Sequence, residues 1–180
     1  MRIDAHQHYW KMSRNDYGWI KPDNKRMYRD YSPADLLPHL KNHKINKTIL
    51  VQAAPTVDET MFLLELSQTE DTIAAVVGWL DLAEANYTKQ LEIYKSYQKF
   101  AGIRVMIQDM DDETIILSPP YVKAFKYFEA IQLPVDLLVT HDQLDTLNQL
   151  MEIVPTLRGV IDHLGKLIFL IDRLKIGSLT

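Results

Sequence analysis

Short runs of β-branched and apolar residues recur along this chain, and longer amphipathic stretches separate them. Six such runs stand out: Ile3–His6, Thr48–Gln52, Ile73–Leu80, Gly102–Ile107, Pro134–Val139 and Gly159–His163. Ser32-Pro33-Ala34-Asp35 opens the first intervening helix, with Ser32 as N-cap and Pro33 at the first helical position. Apolar residues at helical spacing mark four more, over Asp58–Glu70, Glu84–Phe100, from Ser118-Pro119, and over Asp142–Ile153. Parallel strands need a crossover of a dozen residues or more, and a helix supplies it. A strand-then-helix order of this kind therefore specifies an α/β fold with a parallel sheet. Six βα units are counted, where a closed (β/α)8 TIM barrel takes about 250 residues. The expectation is an incomplete (β/α)8 barrel in a single domain, 1–180, with the last strands missing and an atypical tail over 167–180.

Hydrophobic residues make up 47% of the 180, enough for a packed core. The net charge of −4 and the scatter of basic residues among acids argue against nucleic acid as a partner. Cysteine is absent, which removes disulfides, thiolate metal sites and a cysteine nucleophile. The apolar stretches are far short of a membrane span, and no signal-peptide pattern precedes the first strand. The expected location is the cytoplasm.

Chemistry concentrates at the ends of the strands. Side chains two apart on a strand share a face, so His6 and His8 point the same way, within reach of one ion or one substrate. Two readings stay open: a divalent metal site, or two histidines satisfied by local hydrogen bonds. Strand ends converge at a barrel mouth, so His163, ending the sixth run, would meet them there. By strand parity His163 falls on the face of Ile161, opposite Asp162. His141, after the fifth run, either joins the cluster or faces solvent while Thr140 or Asp142 caps the next helix. Gln52 ends the second run, where its amide would reach a substrate oxygen or cap a barrel layer. Trp79 and Asp81 share a face at the end of the third. Arg104 lies in an otherwise apolar strand, which is costly unless it is paired. It binds a carboxylate ligand in bidentate fashion or a structural partner, Asp136 or Asp109. The segment Tyr9–Tyr31, with Trp10, Tyr17, Trp19, Tyr28 and Tyr31, reads as a lid or pocket wall or as an aromatic loop packed on the barrel. His39 and His43 stand four apart, but Leu40 replaces the acid that a zinc-protease helix needs, so they read as surface residues. No phosphate-binding glycine loop and no G-x-S-x-G elbow occurs.

Six segments appear in a telling order: Ile3-Asp4-Ala5-His6-Gln7-His8-Tyr9-Trp10, Val51-Gln52-Ala53-Ala54-Pro55-Thr56, Val77-Gly78-Trp79-Leu80-Asp81-Leu82, Gly102-Ile103-Arg104, Pro134-Val135-Asp136-Leu137-Leu138 and Ile161-Asp162-His163-Leu164-Gly165-Lys166. Together they resemble the amidohydrolase-related family of TIM-barrel hydrolases, in its sugar-lactonase-like branch. The resemblance implies hydrolysis of a small lactone, such as that of fuconic, rhamnonic or a dicarboxylic acid. It implies His6, His8 and His163 as ligands of one divalent metal, zinc or manganese, or as carbonyl-binding histidines in a metal-independent enzyme. His163 would be catalytic, and Gln52 and Arg104 would line the pocket for the lactone or carboxylate substrate, with Trp79 nearby; His141, from its place after the fifth run, is a further candidate substrate contact. Two departures qualify this. Leu167 stands where the family has proline, and Gly177-Ser178-Leu179-Thr180 lacks the aspartate of the family's eighth-strand motif. The expectation is a chain truncated before strands seven and eight, without the family's general base. Unpaired first and sixth strands would drive self-association or pairing with a missing C-terminal half. A decarboxylase of the same superfamily and an inactive or split-enzyme fragment are the rival readings.

Overall fold

The structure is a computed structural model that describes residues 1–167. Six strands form one sheet: β1 (Ile3–Gln7), β2 (Lys47–Val51), β3 (Ile73–Gly78), β4 (Phe100–Met106), β5 (Val135–Leu138) and β6 (Gly159–Ile161). Their spatial order is their chain order, and every pairing is parallel. Five helices make the crossovers: α1 (Pro33–His43), α2 (Val57–Thr69), α3 (Tyr87–Lys95), α4 (Pro119–Ala130) and α5 (Leu144–Ile153). This is the α/β pattern anticipated from the sequence, an open run of βα units. The expectations for residues 168–180, the tail and the altered motif at Gly177–Thr180 among them, lie outside the described residues.

Local chemistry accounts for the helix starts. The Asp35 carboxylate accepts from both Ser32 N–H and Ser32 Oγ, at 2.9 and 2.7 Å, and Pro33 occupies the first helical position of α1. Thr56 caps α2 by accepting from the N–H of Glu59 at 3.1 Å. The main apolar core fills the space between sheet and helices, and a smaller cluster of Trp10, Tyr17, Ile20, Ala53 and Ala54 lies under the loop after β1. Leu50, Leu63, Leu64, Ile73, Ile103, Phe125, Phe128 and Leu137 are almost fully excluded from solvent in the main core. Gly102 is required where β4 meets β5, because a Cβ there would sit 2.5 Å from the carbonyl oxygen of Pro134.

The sheet is strongly curled. Laid flat, six strands spaced 4.7–4.9 Å apart would hold β1 and β6 roughly 24 Å apart. Yet the ring of His6, on β1, lies 4.7 Å from that of His163, just past β6. Curling therefore brings the first and last strand ends to one rim, as in a barrel. Among the described residues β1 pairs only with β2 and β6 only with β5. Val160 and Ile161 are 53% and 45% exposed, and Ile3 is 43% exposed.

The sixth strand is shorter than the sequence suggests. It ends at Ile161, and His163, Leu164, Gly165 and Lys166 all adopt positive φ. Pleat parity stops with the pleat, so the expected separation of Asp162 from His163 fails. Asp162 is buried beside Arg104, and the left-handed turn swings His163 back toward His6.

Candidate active site

The rim assembles side chains from four strand ends. His6 and His8 share a face of β1, and their Nε2 atoms lie 3.2 Å apart. His8 Nδ1 is 2.7 Å from the Val51 carbonyl oxygen, so Nδ1 carries the proton and donates. That fixes a lone pair on His8 Nε2, aimed at His6. Two nitrogens bound tetrahedrally to one ion at 2.0–2.1 Å would stand about 3.3 Å apart, close to this spacing. His6, Asp162 and His163 each offer a donor atom, and these atoms all lie within 4.8 Å of one another. The set is nitrogen and carboxylate oxygen, with a backbone carbonyl orienting one imidazole from behind. That is a fit to zinc or a similar divalent ion.

Arg104 binds this cluster from below. Its guanidinium donates to Asp162 at 3.3 Å and to the carbonyl oxygen of Gln52. The ion pair expected with Asp136 or Asp109 goes to Asp162 instead. Asp136 stands opposite Arg104 in the β4–β5 register, where burial lifts its carboxyl to about 6, with Asp162 pushing the same way and Arg104 opposing. Burial lowers the Arg104 pKa, while Asp162, Asp136 and Glu59 all raise it. Burial also dominates at the imidazoles. His8 falls to about 3, with Arg104 reinforcing the drop, and burial lowers His6 as well, against the opposing Asp162 carboxylate. Both rings are thus neutral near pH 7, the state a metal ligand requires.

Gln52 is fully buried. Its Oε1 lies 3.5 Å from Arg104 Nη2 and its Nε2 finds no partner among the described residues. Trp79 is not in the histidine cleft. It borders a neighbouring cavity of about 200 Å³, and Thr60 and Tyr94 hold its backbone. His141 is exposed, 3.8 Å from Asp142, on a turn that Thr140 and Gln143 cap reciprocally. The structure does not bring it to the cluster. His39 and His43 are exposed on α1.

One residue that holds the site together, Glu59, escaped the sequence reading. Glu59 is completely buried, and its carboxylate accepts from the N–H groups of Ala53 (3.0 Å) and Ala54 (2.8 Å). Burial lifts its carboxyl to about 7 against those two hydrogen bonds. It thereby fixes the turn whose Gln52 carbonyl steers Arg104. The Thr-x-x-Glu spacing of Thr56 and Glu59 was the available signal. Trp19 donates from its indole N–H to the Ala53 carbonyl at 2.8 Å and walls the cleft. The Tyr9–Tyr31 segment is thus a pocket wall, stitched down by antiparallel pairing of Trp10 with Tyr31. The cleft has a volume of about 380 Å³ and is bordered by His8, Trp19, Arg104, Met106, Asp109 and His163.

A curled parallel sheet that gathers histidines and a buried Arg–Asp pair at one rim is the architecture of part of an α/β barrel. The chain belongs to the amidohydrolase family, whose profile matches residues 3–173. It is 38% identical over 165 residues to an L-fucono-1,5-lactonase of Burkholderia ambifaria, covering 92% of this chain and 57% of that protein. An L-fucono-1,5-lactonase of Burkholderia multivorans is 34% identical over 167 residues, with 92% and 56% covered. The crystal structure of an amidohydrolase from Burkholderia multivorans with bound zinc superposes with a TM-score of 0.86 at 34% identity, covering 92% of this chain and 58% of that one. The chain thus spans little more than half the length of these relatives.

Proposed function

We propose that this chain carries the metal-binding and carbonyl-binding residues of a hydrolase acting on a small, neutral sugar-acid lactone. The observation that carries the reading is the facing Nε2 pair of His6 and His8, closed by His163 and Asp162 at the same rim. Similarity to two fuconolactonases supports the substrate class.

In this reading His6, His8, His163 and Asp162 hold one divalent ion, zinc or manganese. Such an ion supplies Lewis acidity toward a carbonyl oxygen when bound. The remaining chemistry belongs to the chain. Val51 orients His8 through Nδ1. Arg104 holds Asp162 in place through its guanidinium, 3.3 Å from the carboxylate. Trp19 covers the cleft, and the Nε2 of Gln52, without a partner among the described residues, is assigned as a donor to a substrate oxygen. His163, exposed at the mouth, is a ligand when the ion is bound, and is assigned the proton transfer at its ring nitrogen if hydrolysis proceeds without metal. Residues 1–180 act as one domain in the cytoplasm in the same reading.

A second feature favours a partner. The exposed edges of β1 and β6 suit strand addition, by a second copy or by a polypeptide that completes the sheet.

The test joins zinc calorimetry with pH-stat hydrolysis of L-fucono-1,5-lactone. Wild-type chain should bind one zinc at least about tenfold more tightly than His6→Ala, the scale of losing one well-placed interaction. Zinc-loaded wild type should hydrolyse the lactone faster than His163→Ala. Equal zinc affinity would remove the metal assignment, and equal rates would remove the hydrolase assignment.

A further inference from the structure

Beside the histidine cleft lies the second cavity, of about 200 Å³, where the chain leaves β3 and β4. Its walls are mainly apolar, from Trp79, Leu80, Leu82, Val105, Met110 and Tyr121. Met106 and Asp109 border this cavity and the cleft alike, so the two spaces abut across those side chains. Charge is distributed unevenly. Asp81 and Asp109 reach the side cavity, and no lysine, arginine or histidine borders it among the described residues. The cations lie in the cleft instead, where Arg104 is engaged by Asp162 and the Gln52 carbonyl and Lys166 borders the mouth.

We propose that the side cavity is a specificity subsite for a short, uncharged alkyl arm on a lactone seated in the cleft. The C6 methyl of a 6-deoxy sugar acid is such an arm. The argument rests on the lactone reading above and goes further by assigning the selecting residues. An apolar pocket favours a methyl group over its absence through the water it releases. A carboxylate arm there would lose hydration, meet two acidic side chains and find no cation. The side cavity therefore favours a neutral alkyl arm over a carboxylate arm at that position of the ring. Trp79, which sequence reading placed with the substrate, acts from this cavity and not from the histidine cleft.

Non-hydrolysable 1,5-lactams test this without depending on turnover. Three probes are titrated calorimetrically into the zinc-loaded 180-residue chain: the L-fuconic acid lactam, the same ring lacking the terminal methyl, and the ring with a carboxylate in place of that methyl. Loss of the methyl should weaken binding about 4- to 10-fold. The carboxylate should weaken it by at least about 10-fold. Saturation-transfer NMR should show the methyl protons as the most strongly saturated part of the first probe. Met110→Phe, which fills the cavity from a half-buried position, should reduce the methyl preference to less than about 2-fold and leave the methyl-free probe unchanged. Equal binding of the methyl and methyl-free probes to wild type would overturn the subsite, whether or not Met110→Phe folds. So would equal weakening of both probes by Met110→Phe, or a carboxylate probe that binds best. If none of the three lactams binds, the lactone reading itself falls, and the subsite with it. Binding of all three with no preference removes the subsite alone.

Discussion

Glu59 offers a quantitative test of how the second strand end is held. Its carboxyl is lifted to about 7 from an ordinary 4.5, chiefly by burial, while two backbone N–H groups pull the other way. An acid whose folded pKa exceeds its unfolded one stabilises the fold most when protonated. Its contribution is complete below pH 4.5 and is lost as pH rises through 7. Between pH 5 and pH 8 these two values give a decline of roughly 2.5 kcal/mol. Other groups titrate in the same window. Asp136, lifted to about 6, acts in the same direction. His8, lowered to about 3, acts in the opposite one, because the unfolded imidazole takes a proton below pH 6.5 and the buried one does not. The comparison with Glu59→Gln removes those shared terms. Urea unfolding of metal-free wild type and Glu59→Gln should be run at pH 5, 6, 7 and 8. The wild-type advantage should shrink with rising pH by roughly 2.5 kcal/mol in total. A difference constant to within about 0.5 kcal/mol would show that Glu59 ionises normally in the fold and would refute the assignment of burial as the dominant force.

Arg104→Met leaves Asp162 buried without its cation and should cost about 3–5 kcal/mol in urea unfolding. Gly102→Ala presses a methyl carbon to within 2.5 Å of the Pro134 carbonyl oxygen and should cost about 1–3 kcal/mol. Gly18→Ala, with nothing within 4 Å, should change thermal stability by less than about 0.5 kcal/mol and serves as its control. Sedimentation velocity should show the 180-residue chain associating as concentration rises, and Ile161→Lys on the open β6 should shift it toward monomer; a monomer at every concentration would count against strand addition.

The order of strands and helices was legible because parity and helical spacing are local rules. Ser32, Asp35 and Pro33 announced the start of α1 within four residues, and the facing of His6 and His8 followed from the pleat alone. What escaped depended on where a pleat stops or on partners distant in sequence. Strand parity carried past Ile161 put Asp162 on the wrong face, because the left-handed turn from His163 begins there. Arg104 suggested Asp136, its neighbour in register, yet the guanidinium extends to Asp162, fifty-eight residues on. Trp19 looked like one aromatic residue among several, and nothing nearby in the chain announces its hydrogen bond to Ala53. Glu59 reads as a helix cap, but its side chain reaches beyond the helix to the preceding turn.

The convergence of β1 and the end of β6 also has a temporal meaning. The donor set joins residue 6 to residues 162 and 163, so no shorter stretch of nascent chain contains it. Contacts between such distant positions form late, after the intervening loops have closed. On the ribosome, His6 and His8 emerge first and wait, through the synthesis of five further strands, for the carboxylate and imidazole that complete the cluster. If the proposed ion is bound, its capture would coincide with curling of the whole sheet, making metal uptake a clock for the last stage of folding.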